Sequence, residues 1–296
     1  MKKLLTILLT LAVCLGMLVG CGPDSTDEIS YNTDTFETDT ISIDVFSRHA
    51  IITGESENKR HQPDASITVG GNEYTAEYSN HWYSVRGLMP DRISYYIEEN
   101  NAHVNIDANS GKLVRFSRSM YDVAKEEKEK NPNSYSTEQN YIVAYDIAKE
   151  YVGDISRYDK VTIRYLDANP LDNGMNYGTE VTFTKTIQGY LTSDIVTVGI
   201  SNSGIIETIA VGHTGAFDDF NETIDREKVN ESINARIKEE CDKDGATIDS
   251  ISYLDQRLFK STDSKYYLVT DLFLYVTLSN GEKTTMYRTL ITNISD

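Results

Sequence analysis

The residue whose type and position most clearly suggest chemistry is a cysteine near the start of the chain. Cys21 follows the tripeptide Leu-Val-Gly, and two lysines and an apolar stretch from Leu4 to Leu18 precede it. A basic head, an apolar run and small residues at its end are typical of a secretory signal. The sequence therefore predicts cleavage that removes residues 1–20 and leaves Cys21 as the first residue of the mature chain.

This ending resembles the lipobox of bacterial lipoproteins, and all four of its positions match. The resemblance implies cleavage after Gly20 and acyl chains such as palmitate on the thiol and amino group of Cys21. Each buried CH₂ contributes about 0.8 kcal/mol to membrane binding, so two or more chains hold a protein on the membrane. The expected location is the outer face of the cell membrane. The alternative, an uncleaved anchor, needs about 20 apolar residues, which is more than this stretch offers.

Composition restricts the partners of the expected mature chain. The full chain of 296 residues has a formal charge of −18, and loss of the two lysines of the signal leaves 26 basic against 46 acidic residues, or −20. Such an acidic body argues against binding to nucleic acid or to anionic lipid. Only Cys241 remains beyond the signal and Cys21, so no disulfide within the chain is expected.

The sequence carries no motif that predicts a catalytic, cofactor-binding or metal-binding residue. The five histidines do not pair at helical spacing, and HExxH, GxSxG and Gly-rich phosphate loops are absent. Two alternatives stay open. Asp107 to Gly111 and Glu240 to Gly245 offer oxygen ligands for calcium, although Ile251 stands where an EF-hand needs glutamate. Paired carboxylates brought together by the fold would suit a cell-envelope hydrolase.

Hydrophobic periodicity predicts strands and two amphipathic helices. A capping box at Ser136 begins the first helix and Gly153 ends it. The second begins at Thr223 or Asp225, and its apolar residues recur at intervals of four up to Cys241. The strands alternate polar and apolar residues, with glycine turns between them, for example at Gly70 and Gly71. Two of these strands are expected from Ala246 to Tyr253 and from Gln256 to Phe259. The charged run after Met120 favours a helix without an apolar face.

These patterns divide the chain into six segments. They are a lipoprotein signal (1–20), a flexible spacer (21–40), a β-rich unit (41–119), a charged connector (120–134) and two α+β units (135–222 and 223–296).

The stretch from Val104 to Leu113, Val-Asn-Ile-Asp-Ala-Asn-Ser-Gly-Lys-Leu, resembles the closing hairpin of PepSY domains. Val196 to Ile206 is similar in outline but lacks the Asp-Ala step. The resemblance implies an α+β fold of tandem modules, PepSY-like or cystatin-like, each with a helix packed on an antiparallel sheet. It also implies binding, inhibition or sensing, with no catalytic residue to carry over.

The sequence therefore favours a non-catalytic, lipid-anchored surface protein that binds a peptide, a protease or an envelope polymer. The alternatives are a hydrolase with dispersed carboxylates and a structural assembly factor. An exposed apolar patch or an open sheet edge would favour binding, with the hairpins at Gly111, Gly204 and Gly281 as candidate edges. A cleft that joins several carboxylates and aromatic side chains would favour the enzyme.

The first prediction concerns the lipid anchor. Replacement of Cys21 by serine removes the acylated thiol, so the variant should appear in the medium or stay unprocessed. Detergent-phase partitioning measures this, and partitioning equal to that of the unaltered chain would contradict the prediction.

Overall fold

The computed structural model describes residues 55–57, 64–84, 87–130, 135–167 and 176–294, and Cys21, the signal and the spacer lie outside them. Within these ranges the chain folds into a sheet of 13 strands with three α-helices on its faces. The strands are β1 (Glu55–Glu57), β2 (Ala65–Val69), β3 (Asn72–Tyr83), β4 (Arg92–Ile97), β5 (Ala102–Asp107), β6 (Leu113–Arg118), β7 (Lys160–Asp167), β8 (Asn176–Ile187), β9 (Tyr190–Ser201), β10 (Ile206–Val211), β11 (Ala246–Lys260), β12 (Tyr266–Leu278) and β13 (Lys283–Asn293). The helices are α1 (Met120–Lys130), α2 (Thr137–Val152) and α3 (Arg226–Lys243).

The sheet consists of three antiparallel groups of strands: a first group from β1 to β6, a second from β7 to β10 and a third from β11 to β13. Its main strand order is β1-β3-β4-β5-β6-β10-β9-β11-β12-β13. Strand β2 pairs with β3, and β7 joins the second group through β8. The first two groups meet where β6 pairs antiparallel with β10. The second and third meet in a short parallel contact of β9 with β11. The coarse expectation of an α+β protein with a largely antiparallel sheet is confirmed.

Local signals determine several turns as expected. Gly70 and Gly71 adopt positive φ in the turn between β2 and β3. A residue with a Cβ would be strained in this conformation. A Cβ at Gly70 would also lie 2.5 Å from the Ile206 side chain. Gly281 has positive φ in the turn between β12 and β13, as the Asn-Gly pair predicts.

Helix α2 begins with the predicted capping box. The Gln139 amide donates to the Ser136 hydroxyl, and the Ser136 amide donates to the Gln139 side chain. Two free amides of the first turn are thereby satisfied. The helix buries Ala144 and Ala148 against β8 and β9, while Ile147 packs on the core of the first group. Helix α2 therefore covers two groups of the sheet at once.

Helix α3 buries the predicted stripe, which consists of Val229, Ile233, Ile237 and Cys241. The Asp225 side chain caps its first turn by accepting the amide of Lys228 at 3.1 Å. Each fully buried Val or Ile contributes about 1.5–3 kcal/mol relative to exposure. Burial of this stripe on β11 and β13 therefore holds α3 in place.

The structure corrects two details of the sequence-based interpretation. The charged segment after Met120 is helical, but α1 does have an apolar face, because Val123 and Ala124 are buried against Leu166, Tyr177 and Ile205. The two strands expected between Ala246 and Phe259 form one long strand, β11. Register shifts after Ile248 and Tyr253 act as bulges that keep its pairing with β12.

In the part of the chain that the structure describes, no helix is both long and apolar enough to cross a membrane.

The second prediction concerns Cys241, which is 2% exposed and whose thiol pKa is raised by burial. The neutral, buried thiol should react slowly with a thiol reagent in the native state and rapidly in denaturant. Mass spectrometry of the peptide containing Cys241 gives the rate. Thr285→Cys on the exposed side of β13 is the matched control and should react at once; equal rates would show that Cys241 is accessible.

Candidate binding surface

Within the described ranges, strand β7 forms an edge of the sheet. Among the described residues it pairs only with β8, so alternate backbone N–H and C=O groups of β7 point away from the sheet. Its side chains are exposed from Val161 to Tyr165. Three of them are large and apolar: Val161 is 41% exposed, Ile163 47% and Tyr165 57%. An edge of this kind can accept a further strand.

The three apolar side chains of β7 share one face of the sheet. Val161 lies opposite Phe183, and Ile163 lies opposite Val181. Directly opposite residues of antiparallel strands point to the same side. Since Phe183 and Val181 belong to the core beneath α2, the apolar row of β7 lies on the side that α2 covers.

Helix α2 extends this apolar row. Tyr141 and Tyr145 pack on Phe183, with ring centroids 6.0 and 6.1 Å away. Both tyrosines are partly buried, and Ile142 beside them is 52% exposed. The α2 side of the β7 edge therefore offers apolar surface to a neighbouring strand.

Exposed large apolar residues are concentrated in one stretch of the sequence. In the described part of the chain all seven of them fall between Met120 and Tyr165, and none lies in the third group of strands. They are Met120, Tyr121, Tyr135, Ile142, Val161, Ile163 and Tyr165. Single exposed apolar residues need no explanation, whereas three along one edge strand indicate an interaction surface.

The opposite face of β7 borders a polar cleft of about 600 Å³, which we call the arginine cleft. It forms where β6 and β10 meet, extends over β8 to β7, and has Met120 of α1 at its margin. Its charged and hydroxyl-bearing residues include Arg115, Arg118, Arg164, Tyr177, Glu180 and Glu207.

Ion pairs and hydrogen bonds hold the side chains of the arginine cleft. Arg164 Nη2 lies 3.1 Å from the Glu180 carboxylate, and Arg118 Nη2 lies 2.8 Å from Glu126. The Tyr177 hydroxyl donates to Glu207. Burial raises the pKa of Glu207, because desolvation disfavours its charged form. Three arginines thus face three glutamates, Glu126, Glu180 and Glu207, and burial opposes the ionisation of Glu207.

A second cavity, of about 660 Å³, lies where residues from all three groups of strands meet. Lys112, Tyr151, His213 and Lys260 are among its lining residues. Burial lowers the pKa of His213 to about 4, although the charge of Asp107 opposes this shift. The imidazole is therefore neutral near pH 7.

Ser193, His213 and Asp107 have the residue types of a nucleophilic triad, but their geometry serves the fold. Ser193 Oγ lies 3.3 Å from His213 Nδ1, and Ser193 is only 4% exposed. Asp107 Oδ1 accepts the amides of Asn109 and Ser110 at 2.8 and 2.9 Å, which closes the turn before β6. These contacts give Asp107 a role in the turn.

The structure describes some of the expected functional features and not others. Cys21, the expected lipidation site, lies outside the described residues. The hairpins at Gly111 and Gly204 are not sheet edges, because β5, β6, β9 and β10 are all interior strands; only the hairpin at Gly281 contributes an edge strand, β13. No group of three or more His, Cys, Asp and Glu side chains suited to a metal ion occurs in the described ranges.

The sequence signal for β7 was its alternation, with apolar residues at 161, 163 and 165 between polar ones. That pattern predicted a strand but not an edge, since edge position depends on which strands pair. The residues of the arginine cleft are spread from 115 to 207 and carry no motif.

Comparison with family models, curated proteins and solved structures finds no match to the chain.

The third prediction concerns pH and His213. The unfolded chain takes up a proton at this residue below about pH 6.5, whereas the folded chain does so only near pH 4. Its contribution to the free energy of unfolding is therefore lost as the pH falls from 6.5 to 4, by up to about 3 kcal/mol. Denaturant titrations of the unaltered chain and of His213→Gln measure this. The variant should lose less stability over the same range, and identical slopes would refute the assignment.

Proposed function

We propose that this chain is a non-catalytic surface protein, lipid-anchored through Cys21 outside the membrane, which binds an extended segment of a partner protein along β7. The observation that carries the proposal is the exposed edge of β7, which pairs only with β8 among the described residues and presents three apolar side chains. A partner strand would satisfy the outward backbone groups of β7 and cover Val161, Ile163 and Tyr165.

Main-chain hydrogen bonds and apolar burial would contribute separately to this binding. Backbone pairing gives affinity with little dependence on sequence, and contacts with alternate side chains give selectivity. Full burial of an exposed Ile side chain is worth about 1.5–3 kcal/mol, and Ile163 is 47% exposed, so covering it would contribute about half of that, or roughly three- to tenfold in affinity. Val161 and Tyr165 would add to this contribution.

We further propose that the helix-and-sheet groups are PepSY-like or cystatin-like modules. Support comes from the closing hairpin of Val104 to Leu113, and from α2 and α3, each of which precedes an antiparallel group of strands and packs on it. Modules of this kind suit presentation of a sheet edge to a partner.

The arginine cleft supports a second candidate, a cell-envelope hydrolase. It joins Glu180 and Glu207 with Tyr177, and the raised pKa of Glu207 would suit a general acid. Binding is favoured over hydrolysis because Glu180 is only 9% exposed and is paired with Arg164. In addition, the Glu207 carboxylate already accepts a hydrogen bond from the Tyr177 hydroxyl. Hydrolysis of peptidoglycan by the purified chain, abolished in Glu207→Gln, would favour the enzyme instead.

The fourth prediction tests the edge. Peptides selected from a displayed random library against the purified chain should slow amide exchange in residues 160–166 when they bind. Ile163→Glu places a charge in the apolar row and should weaken these peptides about tenfold or more.

Thr285→Glu is the matched control, since it introduces the same charge on the edge strand at the other end of the sheet. It should leave binding unchanged. Protection that maps away from β7, or equal loss in both variants, would overturn the proposal.

A further inference from the structure

We infer that the segment bound by β7 alternates apolar with acidic side chains, the acidic ones facing Arg164 and the arginine cleft. This inference rests on the proposed function, because it assumes that a strand pairs with β7. It specifies the types of side chain that the bound segment carries.

The alternation follows from the two faces of β7. An added strand directs successive side chains to opposite sides of the sheet. One row would lie beside Val161, Ile163 and Tyr165, where apolar side chains fit. The other row would lie beside Lys160, Thr162 and Arg164, on the side that borders the cleft.

The positive side chains on the cleft side of β7 favour acidic residues in the second row of the partner strand. The chain as a whole has a charge of −18, so most of its surface repels a negatively charged peptide. The arginine cleft offsets this negative charge locally, because its three arginines stand against Glu180, Glu207 and the Glu126 that pairs with Arg118. Lys160 adds a further positive charge to the same side of β7.

Arg164 is available to a peptide carboxylate. Its side chain is 49% exposed, and its ion pair with Glu180 is open to solvent on that side. A guanidinium has five N–H donors, and Arg164 contacts Glu180 through Nη2, so its other donors can meet a peptide carboxylate while this pair is kept. Glu180 thereby holds the guanidinium near the edge.

A second copy of this chain fits the same edge less well. Antiparallel pairing of β7 with its own copy would bring Lys160 and Arg164 of two chains to one side of the joined sheet. Like charges opposite each other destabilise strand pairing. The edge is therefore complementary to an acidic strand and not to itself.

The test uses short blocked peptides that alternate valine with glutamate, lysine or glutamine, at concentrations where light scattering shows them to be monomeric. Fluorescence anisotropy with the full chain should rank the glutamate peptide first. Its affinity should fall as salt is raised, because salt screens exposed charges.

Charge reversal makes the test specific. Arg164→Glu should weaken the glutamate peptide about fivefold and strengthen the lysine peptide by a similar factor. Thr162→Glu, on the same side of β7, should act in the same direction without removing the pair with Glu180. Lys283→Glu on β13 is the matched control for a change of charge on an edge strand and should alter neither affinity. Thermal unfolding shows that each variant is folded.

The outcomes separate the two proposals. If all three peptides bind equally and Arg164→Glu changes nothing, the edge accepts strands but the acidic preference is wrong. If none binds while the library peptides of the previous test do protect β7, the alternation is wrong. If the chain dimerises in sedimentation and Ile163→Glu abolishes the dimer, the occupant is a second copy and the inference fails.

Discussion

The pairing of β6 with β10 is the contact on which the architecture depends. Ile209 lies opposite Phe116 across this seam, and both are almost completely buried. The Thr208 hydroxyl donates to the Phe116 carbonyl at 3.0 Å. Helix α2 packs on both sides of the seam, and Ile147, Ile206 and Val211 contact the cores of both groups. The same pairing brings Arg115 and Arg118 beside Glu207, so the arginine cleft exists only because these two strands meet.

The seam also determines where the sheet stays open. It pairs β6 and β10, which are the final strands of two hairpins and would otherwise be edges. In the described ranges of the second group only β7 then keeps an unpaired side. The free edge, the apolar row and the cleft consequently lie next to one another on a single strand. The proposed binding mode uses all three.

Much of the local structure follows from the sequence, because it depends on near neighbours. The capping box at Ser136 and the stripe ending at Cys241 were recognisable from residue type and spacing. The apolar face of α1 was missed because Val123 and Ala124 stand next to a highly charged run, and because their partners, such as Leu166 and Ile205, lie far along the chain. Edge position and the arginine cleft escaped prediction for the same reason. They depend on contacts between remote segments, which periodicity does not encode.

The seam has a consequence for the order in which the molecule folds. The hydrogen bond between Thr208 and Phe116 joins residues 92 positions apart, so a long loop must close before β6 gains its second neighbour. The first group of strands cannot complete its sheet until the chain as far as β10 has been synthesised. Until then β6 is itself an open edge beside a nearly finished core, and it is vulnerable to pairing with the wrong strand. Helix α2 precedes β10 in the chain and packs on the core of the first group, so it can cover that core while the edge of β6 is still unpaired.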